Sequence, residues 1–510
     1  MFPKALPTPF QTKEYGSLVM SRLNQLPKAF EPNTNNRVKP YSNVGNHYLV
    51  RPDSFQRSLG IVNPIRFYNL SYVISKYWSD IERHLQKESF SASRPVLDIG
   101  GNRALKGAID WDDRDKLKAK TRTAGQFILE ADIEKFYPSI YTHSISWALH
   151  SKSKAKSNTS VDDLLGNLLD DRMISMQDRQ TNGIPIGPDT SLVLAEIILT
   201  EVDKNLRTKI PMTGFRSIDD YEVSFTNKYD AEEALSCLRQ ELSEFELKLN
   251  PKKTSIKRMP IPIVESWVNK LRRYEFRSDN RTSQLNDMLD YFSKAFSVSK
   301  RSKNQGVIRY AIARIGSVNI HEDNLEVYES LLLQCASSEA QSMKYVIPEL
   351  YKIKKSGYSL SKSKIQSTIE DIVDRYTSVR GGSEVAWALW MGIALGIDLS
   401  KATMTAVAQT KDPVVPVLAL HADAEGLTPR DFDGSAWTHL MSQDQLYGEN
   451  WLIAYEANVQ GWMSHGDDHV SSTDGFRFLK ENDIHFYNTD AKPGVFGEIE
   501  GLQRIIGRYV

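Results

Sequence analysis

Residues 214–225, with the sequence GFRSIDDYEVSF, place two adjacent aspartates between two short apolar and aromatic runs. The runs alternate roughly in period two, which predicts two strands that meet at a tight turn carrying Asp219 and Asp220. Four other Asp-Asp pairs occur in the chain, but only this pair lies between strand-like runs. Any fold of this chain must therefore accommodate two carboxylates at the turn of a β-hairpin.

Two carboxylates on one rigid turn repel each other, because like charges lie only a few ångströms apart. A cation that neutralises them relieves this cost, and Mg²⁺ held by carboxylates and substrate phosphates is the usual solution. The alternative is a turn whose two side chains are simply solvated. The hairpin by itself is compatible with either a metal site or a solvated turn.

Three further segments predict strands and loops around this hairpin. Phe127–Asp132, with the sequence FILEAD, is typical of a buried strand that ends in a carboxylate. Residues 183–191, GIPIGPDTS, form a Gly/Pro-rich loop, after which apolar residues recur at helical spacing. Residues 247–256, LKLNPKKTSI, predict two strands around a turn at Pro251. The first half of the chain is therefore predicted to mix helices and strands.

From about residue 262 onward, helical patterns dominate the sequence, and short polar loops separate them. Helix pairs stacked as an irregular solenoid fit this pattern, although no fixed-period repeat is evident. The longest apolar run, at 385–397, is too short to cross a bilayer and predicts a buried helix. The helices are predicted over residues 285–296, 306–315, 325–333, 342–353, 364–376 and 384–397.

Lys and Arg together number 64, as do Asp and Glu, so the chain has no overall basic excess. Proteins that capture foreign nucleic acid usually show such an excess, so any nucleic-acid contact here must be local. Two cysteines, Cys237 and Cys335, cannot build a disulfide framework or a cysteine-rich zinc site, which favours a reducing compartment. The N-terminal sequence MFPKALPTPF lacks the apolar core of a signal peptide. We therefore expect a cytoplasmic protein without a membrane segment.

The strand ending in Asp132, the Gly/Pro loop, the SIDD hairpin and the NPKKT segment resemble, in order and rough spacing, the palm of a reverse transcriptase. The resemblance covers about residues 45–260. It is closest to the abortive-infection branch of the bacterial unknown-group reverse transcriptases, the AbiK type. DIEKFYPSIYTHSISW, at 132–147, resembles the hallmark of that branch around its first aspartate, and GIPIGPDTS is similar to its second motif. Those proteins also carry a helical C-terminal half.

The resemblance implies an α+β fold, in which a fingers–palm domain is followed by an all-α, HEAT-like helical domain. The implied division of the chain has three parts. Residues 1–45 are rich in Pro, Asn and Lys and are expected to be irregular, apart from a short amphipathic piece at about 18–26. The fingers and palm are expected at 46–260, and the helical domain at 261–510.

The chemistry implied by the resemblance is in-line phosphoryl transfer from dNTPs, assisted by two Mg²⁺ ions, with Mn²⁺ as a possible substitute. Asp132, Asp219 and Asp220 are the implied metal ligands, and the carbonyl of Ile133 is an implied additional ligand. One metal ion activates the attacking hydroxyl and the other holds the triphosphate. Lys253 matches the lysine that neutralises or protonates the leaving pyrophosphate, with a surface lysine as the alternative.

Further substrate-binding residues are implied on both sides of the first aspartate. Phe136 and Tyr137 follow Asp132, and Tyr137 occupies the position of a ring that excludes a 2′-hydroxyl and so favours dNTPs. The alternative for Tyr137 is a core aromatic beneath a strand. The basic segment that contains Lys118, Lys120 and Arg122 corresponds to finger residues that grip the triphosphate, and its alternative is a solvated charged face.

Two departures from templated relatives affect the implied function. Ser217 replaces the usual aromatic residue at the head of the catalytic hairpin, and Ile186 replaces a glutamine in the second motif. Both positions normally lie near primer or template. The branch is understood to make DNA without a template, primed from a tyrosine of the protein. Tyr15 is the predicted primer because it lies in a segment of irregular composition. Tyr41 and Tyr48 are the alternative primers, and the other interpretation of Tyr15 is a packing or surface tyrosine.

The resemblance therefore predicts a protein-primed, template-independent DNA polymerase that acts in abortive-infection defence against phage. The expected product is single-stranded DNA attached covalently to the protein. A homo-oligomer is also expected, since soluble proteins commonly form closed symmetric assemblies. Two alternatives stay open: a conventional RNA-templated reverse transcriptase, and an inactive polymerase-like scaffold whose helical half binds a partner.

Overall fold

The structure is a computed structural model. It describes residues 1–31, 41–51, 56–98, 103–110, 113–123, 125–277, 280–301, 306–463 and 467–494.

The described residues form strands and helices whose bounds are as follows. The strands are β1 (Gly45–Val50), β2 (Gln56–Ile61), β3 (Pro95–Leu97), β4 (Leu105–Gly107), β5 (Phe127–Asp132), β6 (Thr213–Ser217), β7 (Asp220–Phe225) and β8 (Ser255–Arg258). The helices up to residue 244 are α1 (Lys13–Ser21), α2 (Pro64–Lys76), α3 (Trp78–Leu85), α4 (Arg114–Thr121), α5 (Phe136–Ser139), α6 (Ser144–His150), α7 (Lys152–Ser157), α8 (Leu165–Ser175), α9 (Asp189–Lys209) and α10 (Lys228–Glu244). The later helices are α11 (Ser266–Arg272), α12 (Arg281–Arg301), α13 (Val307–Ile315), α14 (Leu325–Ser338), α15 (Met343–Lys355), α16 (Lys362–Thr377), α17 (Gly382–Leu395), α18 (Lys401–Ala408), α19 (Val415–Ala424), α20 (Gln443–Tyr447), α21 (Trp451–Val459) and α22 (Asp474–Glu481). Short 3₁₀ segments lie at Leu23–Gln25, Lys28–Phe30, Glu322–Asn324, Ala340–Ser342 and Gly434–Leu440.

The chain forms two compact units. The sheet unit comprises Met1, Lys28–Val44 and Val62–Ile263, and the helical unit comprises Phe2–Pro27, Gly45–Ile61 and Val264–Val510. The described residues after 263 form helices and turns without a strand, so the predicted mixture of an α and β region with a helical C-terminal region is confirmed at that level. The predicted division differs from these units because residues 2–27 and the β1–β2 hairpin pack with the helical unit.

The sheet unit is organised around a four-stranded sheet with the order β6-β7-β5-β8. All neighbouring strands are antiparallel. The hairpin predicted from the alternating pattern is present as β6 and β7, and Ser217 pairs with Asp220 at its closed end. In the next pairing, Asp132 lies opposite Asp220. The register therefore brings the end of β5 to the hairpin turn.

One long helix, α9, supplies much of the core beneath this sheet. Its residues Leu194, Ile198, Val202 and Leu206 follow one another at every fourth position and are at most 1% exposed. Side chains four residues apart lie on one face of a helix, so this spacing buries a continuous apolar stripe. The stripe belongs to the same core as apolar residues of β5, β7 and α10, so α9 packs in one core with the hairpin.

The helical unit is built from successive helices that pack on their near neighbours, as in the contacts of α14 with α15 and α16 and of α17 with α16 and α19. The apolar run at 385–397 forms most of α17, whose side chains are largely buried, which confirms the predicted buried helix. Among the described residues, none of the helices is long and apolar enough to cross a membrane.

The described residues among the first 45 are more helical than their composition predicts. Lys13–Ser21 forms the helix α1, in which Tyr15 and Val19 are buried. These two residues are four apart and so face the same side, which gives the short helix an apolar stripe to pack. The expected irregular segment therefore includes a docked helix, and residues 32–40 lie outside the described residues.

Candidate active site

Three carboxylates lie at one end of the four-stranded sheet. Asp132 ends β5, Asp220 begins β7, and the two residues are paired across the strands. The backbone N–H of Ile133 donates to the carbonyl of Asp219 at 3.1 Å, which ties the end of β5 to the turn. The structure thus brings Asp132, Ile133, Asp219 and Asp220 to the same end of the sheet.

The charges of this group act on one another. Burial, followed by the nearby carboxylates of Asp220 and Asp132, raises the pKa of Asp219 to about 6. Burial also raises the pKa of Asp220, against the opposing effect of the Arg114 guanidinium. Carboxylates whose ionised forms are disfavoured in this way are stabilised by a nearby cation.

Asp132 is held by two side chains from the segment that follows α10. Nζ of Lys253 donates to Oδ2 of Asp132 at 2.6 Å, and Nδ2 of Asn250 donates to Oδ1 at 3.2 Å. The backbone N–H of Asn250 also donates to the carbonyl of Asp132 at 2.7 Å. Lys253 therefore belongs to the carboxylate site, where the positive charge of its Nζ lies in direct contact with Asp132.

The donor types suit a hard divalent cation, because Mg²⁺ and Mn²⁺ are bound by carboxylate and carbonyl oxygens. Asp132, Asp219 and Asp220 supply such oxygens, and the raised pKa of Asp219 reflects a site that gains from added positive charge. Within the described part of the chain, no three His, Cys, Asp or Glu side chains are already arranged as a ligand set.

The Gly/Pro loop packs directly against the segment after Asp132. The N–H of Ile184 donates to the carbonyl of Tyr137 at 2.9 Å, and the N–H of Gly183 donates to the carbonyl of Ile140 at 2.8 Å. Gly183 has φ of +82°, and a Cβ at this position would lie 3.1 Å from the carbonyl oxygen of Pro138. Glycine is required here by both its backbone conformation and the close approach.

Tyr137 lies beside the carboxylates, while Phe136 belongs to the core. Phe136 is 3% exposed and packs its ring 5.3 Å from that of Tyr137. Burial raises the pKa of the half-buried Tyr137, and the negative charges of Glu196 and Asp219 raise it further. The phenol therefore stays protonated near Asp219, where its ring can exclude a substituent and its hydroxyl can donate a hydrogen bond.

Arg122, at the end of the basic segment that contains α4, lies in a different setting from the predicted one. Nε of Arg122 donates to Glu222 at 2.7 Å, and its Nη1 donates to the carbonyl of Pro262 at 3.2 Å. Only 5% of the Arg122 side chain is exposed, so its guanidinium binds these partners and does not face a triphosphate. Lys118 lies 3.7 Å from Asp115, and Lys120 is exposed.

Comparison with known families identifies the domain that contains these residues. Residues 74–300 match the family described as reverse transcriptase (RNA-dependent DNA polymerase). The chain carries a reverse transcriptase domain. Such a domain indicates a nucleotidyltransferase, and reverse transcriptase domains generally use divalent metal ions. No curated protein matches the chain by sequence.

Two solved telomerase structures are also similar to the chain. Apo telomerase from Candida tropicalis shows 9% identity and a TM-score of 0.32, over 77% of this chain and 68% of that chain. Telomerase from Candida albicans in complex with a TWJ fragment of telomeric RNA shows 12% identity and a TM-score of 0.27, over 73% and 69%. At these values the two structures add nothing to the assignment.

The tyrosines considered as primers lie in different settings. Tyr15, in the helical unit, is 4% exposed and places its ring 5.5 Å from that of Phe486. Tyr41, in the sheet unit, contacts the guanidinium of Arg179 through its hydroxyl. Tyr48 lies in β1 and is half-buried. Tyr15 is thus a packed helix residue, and α1 would have to undock before its hydroxyl could react.

Several residues of the reverse transcriptase domain could not be identified from the sequence. Arg103 binds Asp189 through two nitrogens, at 2.6 and 3.0 Å, and donates to the carbonyl of Gly187 at 3.3 Å, which orders the second motif. Arg114 reaches to 4.0 Å from Asp220. Both arginines lie in segments whose composition suggests only a loop or a solvated charged face, and neither pattern identifies a partner.

The proton on Asp219 should compete with a metal ion. Because the pKa of Asp219 is raised from 3.8 to about 6, its ionisation costs the metal-free protein stability progressively between about pH 4 and pH 6. Metal binding needs the ionised form, so the apparent Mg²⁺ or Mn²⁺ affinity should fall about tenfold per pH unit below about pH 6. Thermal melting with and without metal, at about pH 5 and about pH 8, measures this.

The Asp219→Asn variant is the control for this pH dependence. Between about pH 4 and pH 6 the metal-free wild type should lose stability relative to this variant, because asparagine does not ionise. Metal should stabilise the variant at neither pH value. A metal-induced stabilisation of the wild type that is equal at the two pH values would contradict the assignment.

Proposed function

We propose that this enzyme polymerises dNTPs at Asp132, Asp219 and Asp220 with two Mg²⁺ ions, for which Mn²⁺ can substitute. The observation that carries the proposal is the meeting of three carboxylates at one sheet end within a reverse transcriptase domain. The cations of such a site activate an attacking hydroxyl and neutralise the triphosphate. The carbonyl of Ile133 is proposed as an additional metal ligand.

The residues around the carboxylates are proposed to bind the nucleotide. Lys253, whose side chain is 57% exposed and donates to Asp132, is proposed to neutralise or protonate the leaving pyrophosphate. Lys118 on α4 is proposed to contact the triphosphate. Arg122 is instead proposed to hold α4 through Glu222, because it is buried and paired. Phe136 supports the ring of Tyr137 from the core.

We further propose that polymerisation is primed by the protein and needs no template, in abortive-infection defence in a bacterial cytoplasm. The residues that favour this are Ser217 and Ile186, where templated relatives carry an aromatic residue and a glutamine. Ser217 is buried at the hairpin, 6% exposed, and Ile186 is half-buried in the loop, so neither presents the expected side chain to a template. Tyr15 is the proposed primer, and Tyr41 and Tyr48 are the alternatives.

The test is incubation of the purified protein with labelled dNTPs and a divalent metal ion, with and without an added primer–template. Label that migrates with the protein without added nucleic acid supports the proposal. Strict dependence on primer and template favours a conventional RNA-templated reverse transcriptase, and absence of label under both conditions favours an inactive scaffold. Tyr15→Phe, which removes only the hydroxyl, asks whether Tyr15 is the primer.

The helical unit is proposed to have a HEAT-like arrangement and to guide the product or make subunit contacts in a homo-oligomer. Its neighbour-by-neighbour helix packing is compatible with this. Light scattering at micromolar concentration tests the oligomer, and a monomeric mass would contradict it.

Tyr137→Ala is expected to admit ribonucleotides. Tyr137 packs against the Gly/Pro loop and lies near Asp219, where a ring would meet a 2′-hydroxyl. Its removal should lower the preference for dNTPs over rNTPs by roughly ten- to a hundredfold in competition assays. Tyr141→Ala is the matched control, since this half-buried ring contacts His143 and Trp147 instead. An unchanged dNTP preference in Tyr137→Ala would assign the discrimination to Phe136 or another residue.

A further inference from the structure

The residue before the catalytic aspartate pair has an unfavourable backbone conformation. Ile218 has φ of +57°, in the left-handed region. A β-branched side chain is disfavoured there, because its Cβ approaches the following carbonyl oxygen. Such a conformation persists only when the surrounding structure holds it in place.

Two hydrogen bonds hold the peptide groups on both sides of Ile218. Its N–H donates to Oγ of Ser93 at 2.6 Å. Its carbonyl accepts from Nη1 of Arg216 at 2.8 Å. Because the next peptide carbonyl, that of Asp219, accepts from Ile133, three consecutive backbone groups of the turn are fixed.

One carboxylate on α9 connects the two groups that hold Ile218. Oε1 of Glu196 accepts from Oγ of Ser93 and from Nη1 of Arg216, both at 2.9 Å. Oε2 of Glu196 accepts from Nη2 of Arg216 at 3.0 Å. The Arg216 Nε also donates to Asp203 at 2.9 Å, and the Tyr221 hydroxyl donates to the same carboxylate at 2.9 Å.

This network is shielded from water. Arg216 is 0% exposed, and Glu196 and Asp203 are each 1% exposed. Charge-assisted hydrogen bonds in such surroundings are short and directional, so they fix geometry as well as adding energy. The network therefore couples α9, the segment around Ser93 and the catalytic turn as one rigid group.

We propose that Ser93, Glu196 and Arg216 are positioning residues that hold Ile218 in its left-handed conformation and thereby place Asp219 for metal binding and nucleotidyl transfer. The proposal rests on the function proposed above for Asp219. Without these hydrogen bonds, Ile218 relaxes to negative φ, and the carboxylate that follows it leaves the site. A buried ion-pair network with a purely structural role would affect stability but not the geometry of the turn.

Ser93→Ala tests the proposal without leaving a buried charge unpaired, because Arg216 continues to neutralise Glu196. We expect kcat for dNTP incorporation to fall by about ten- to a hundredfold. KM should change little, and Mn²⁺ affinity, measured by electron paramagnetic resonance, should fall about tenfold. Ser93→Ala combined with Ile218→Gly should recover most of both losses, since glycine adopts positive φ without strain.

Ser146→Ala is the matched control. Its hydroxyl donates to Asn167 at 2.6 Å, it is 2% exposed, and it lies on α6. This variant should lose stability while keeping wild-type Mn²⁺ affinity and kcat. The positioning proposal is overturned, and the proposed function is not, by either of two results. One is a Ser93→Ala variant with wild-type kcat and Mn²⁺ affinity, and the other is a loss that Ile218→Gly does not reverse. A wild-type protein that neither binds Mn²⁺ nor incorporates dNTPs overturns the proposed function, and the positioning proposal with it.

Discussion

Asp219→Asn and Asp132→Asn are each expected to abolish nucleotide incorporation while leaving the fold intact. Asparagine has nearly the same shape as aspartate but lacks its charge, so the main loss is metal binding. Removing one ligand should lower activity by several orders of magnitude, because stabilisation of transition-state charge by a metal ion contributes several kcal/mol. Incorporation of labelled dNTPs, measured alongside the circular dichroism spectrum and the melting temperature, gives both readouts.

The chain supplies its own control for this experiment. Asp162 belongs to another Asp-Asp pair, which is exposed in the loop before α8. Asp162→Asn removes the same charge away from the sheet and should leave incorporation unchanged. Retention of even about a tenth of wild-type activity in Asp219→Asn or Asp132→Asn would rule these residues out as metal ligands.

Among the variants considered, Arg216→Met is expected to lower the free energy of unfolding most. The guanidinium is fully buried and is paired with two buried carboxylates, Glu196 and Asp203. Its replacement by an apolar side chain of similar length leaves both carboxylates buried without a cation. Breaking a buried ion pair from one side costs about 3–5 kcal/mol, which urea unfolding would show as a lower midpoint.

Arg207→Met is the matched control for this loss. Arg207 lies on the same helix as Glu196, and its side chain is 39% exposed and paired with Glu88. Because Arg207 is partly exposed and this pair lies outside the buried network, the variant should lose much less stability than Arg216→Met. A loss of less than about 1 kcal/mol in Arg216→Met would contradict the view that the network is a tightly coupled, buried group.

The sequence contained most of the information on the catalytic hairpin because that information is local. Period-two alternation on both sides of Asp219 specifies two paired strands, and the run ending at Asp132 specifies a third. The pairing of Asp132 with Asp220 follows once these strands share a sheet. Lys253 was named only through the family resemblance, and its contact with Asp132 comes from the fold.

The network behind the turn was not predictable, because its partners are distant in sequence and their charges suggest exposure. Glu196 interrupts an apolar helix, where a periodicity argument assigns charged residues to the solvent. Arg216 occupies one position of a strand, and Arg122 is one of several basic residues in a charged segment. Only the tertiary fold determines that these arginines are buried against carboxylates rather than facing a substrate.

Composition was also a poor guide to the N-terminal residues. A segment rich in Pro, Asn and Lys suggested irregular structure, but two apolar residues at helical spacing are enough to dock α1. The same segment shows why the priming tyrosine requires an experiment. A buried Tyr15 has to be released before its hydroxyl can attack a nucleotide.

Mass spectrometry of the intact 58.0-kDa chain, after incubation with dNTPs and Mg²⁺ alone, shows whether the protein carries its own DNA product. We expect a ladder of masses above the unmodified chain, separated by single nucleotides. The ladder should be absent in Asp219→Asn, and a nuclease should remove it down to the residue that carries the first nucleotide. An unchanged protein mass, together with free DNA made only when primer and template are supplied, would contradict priming by the protein.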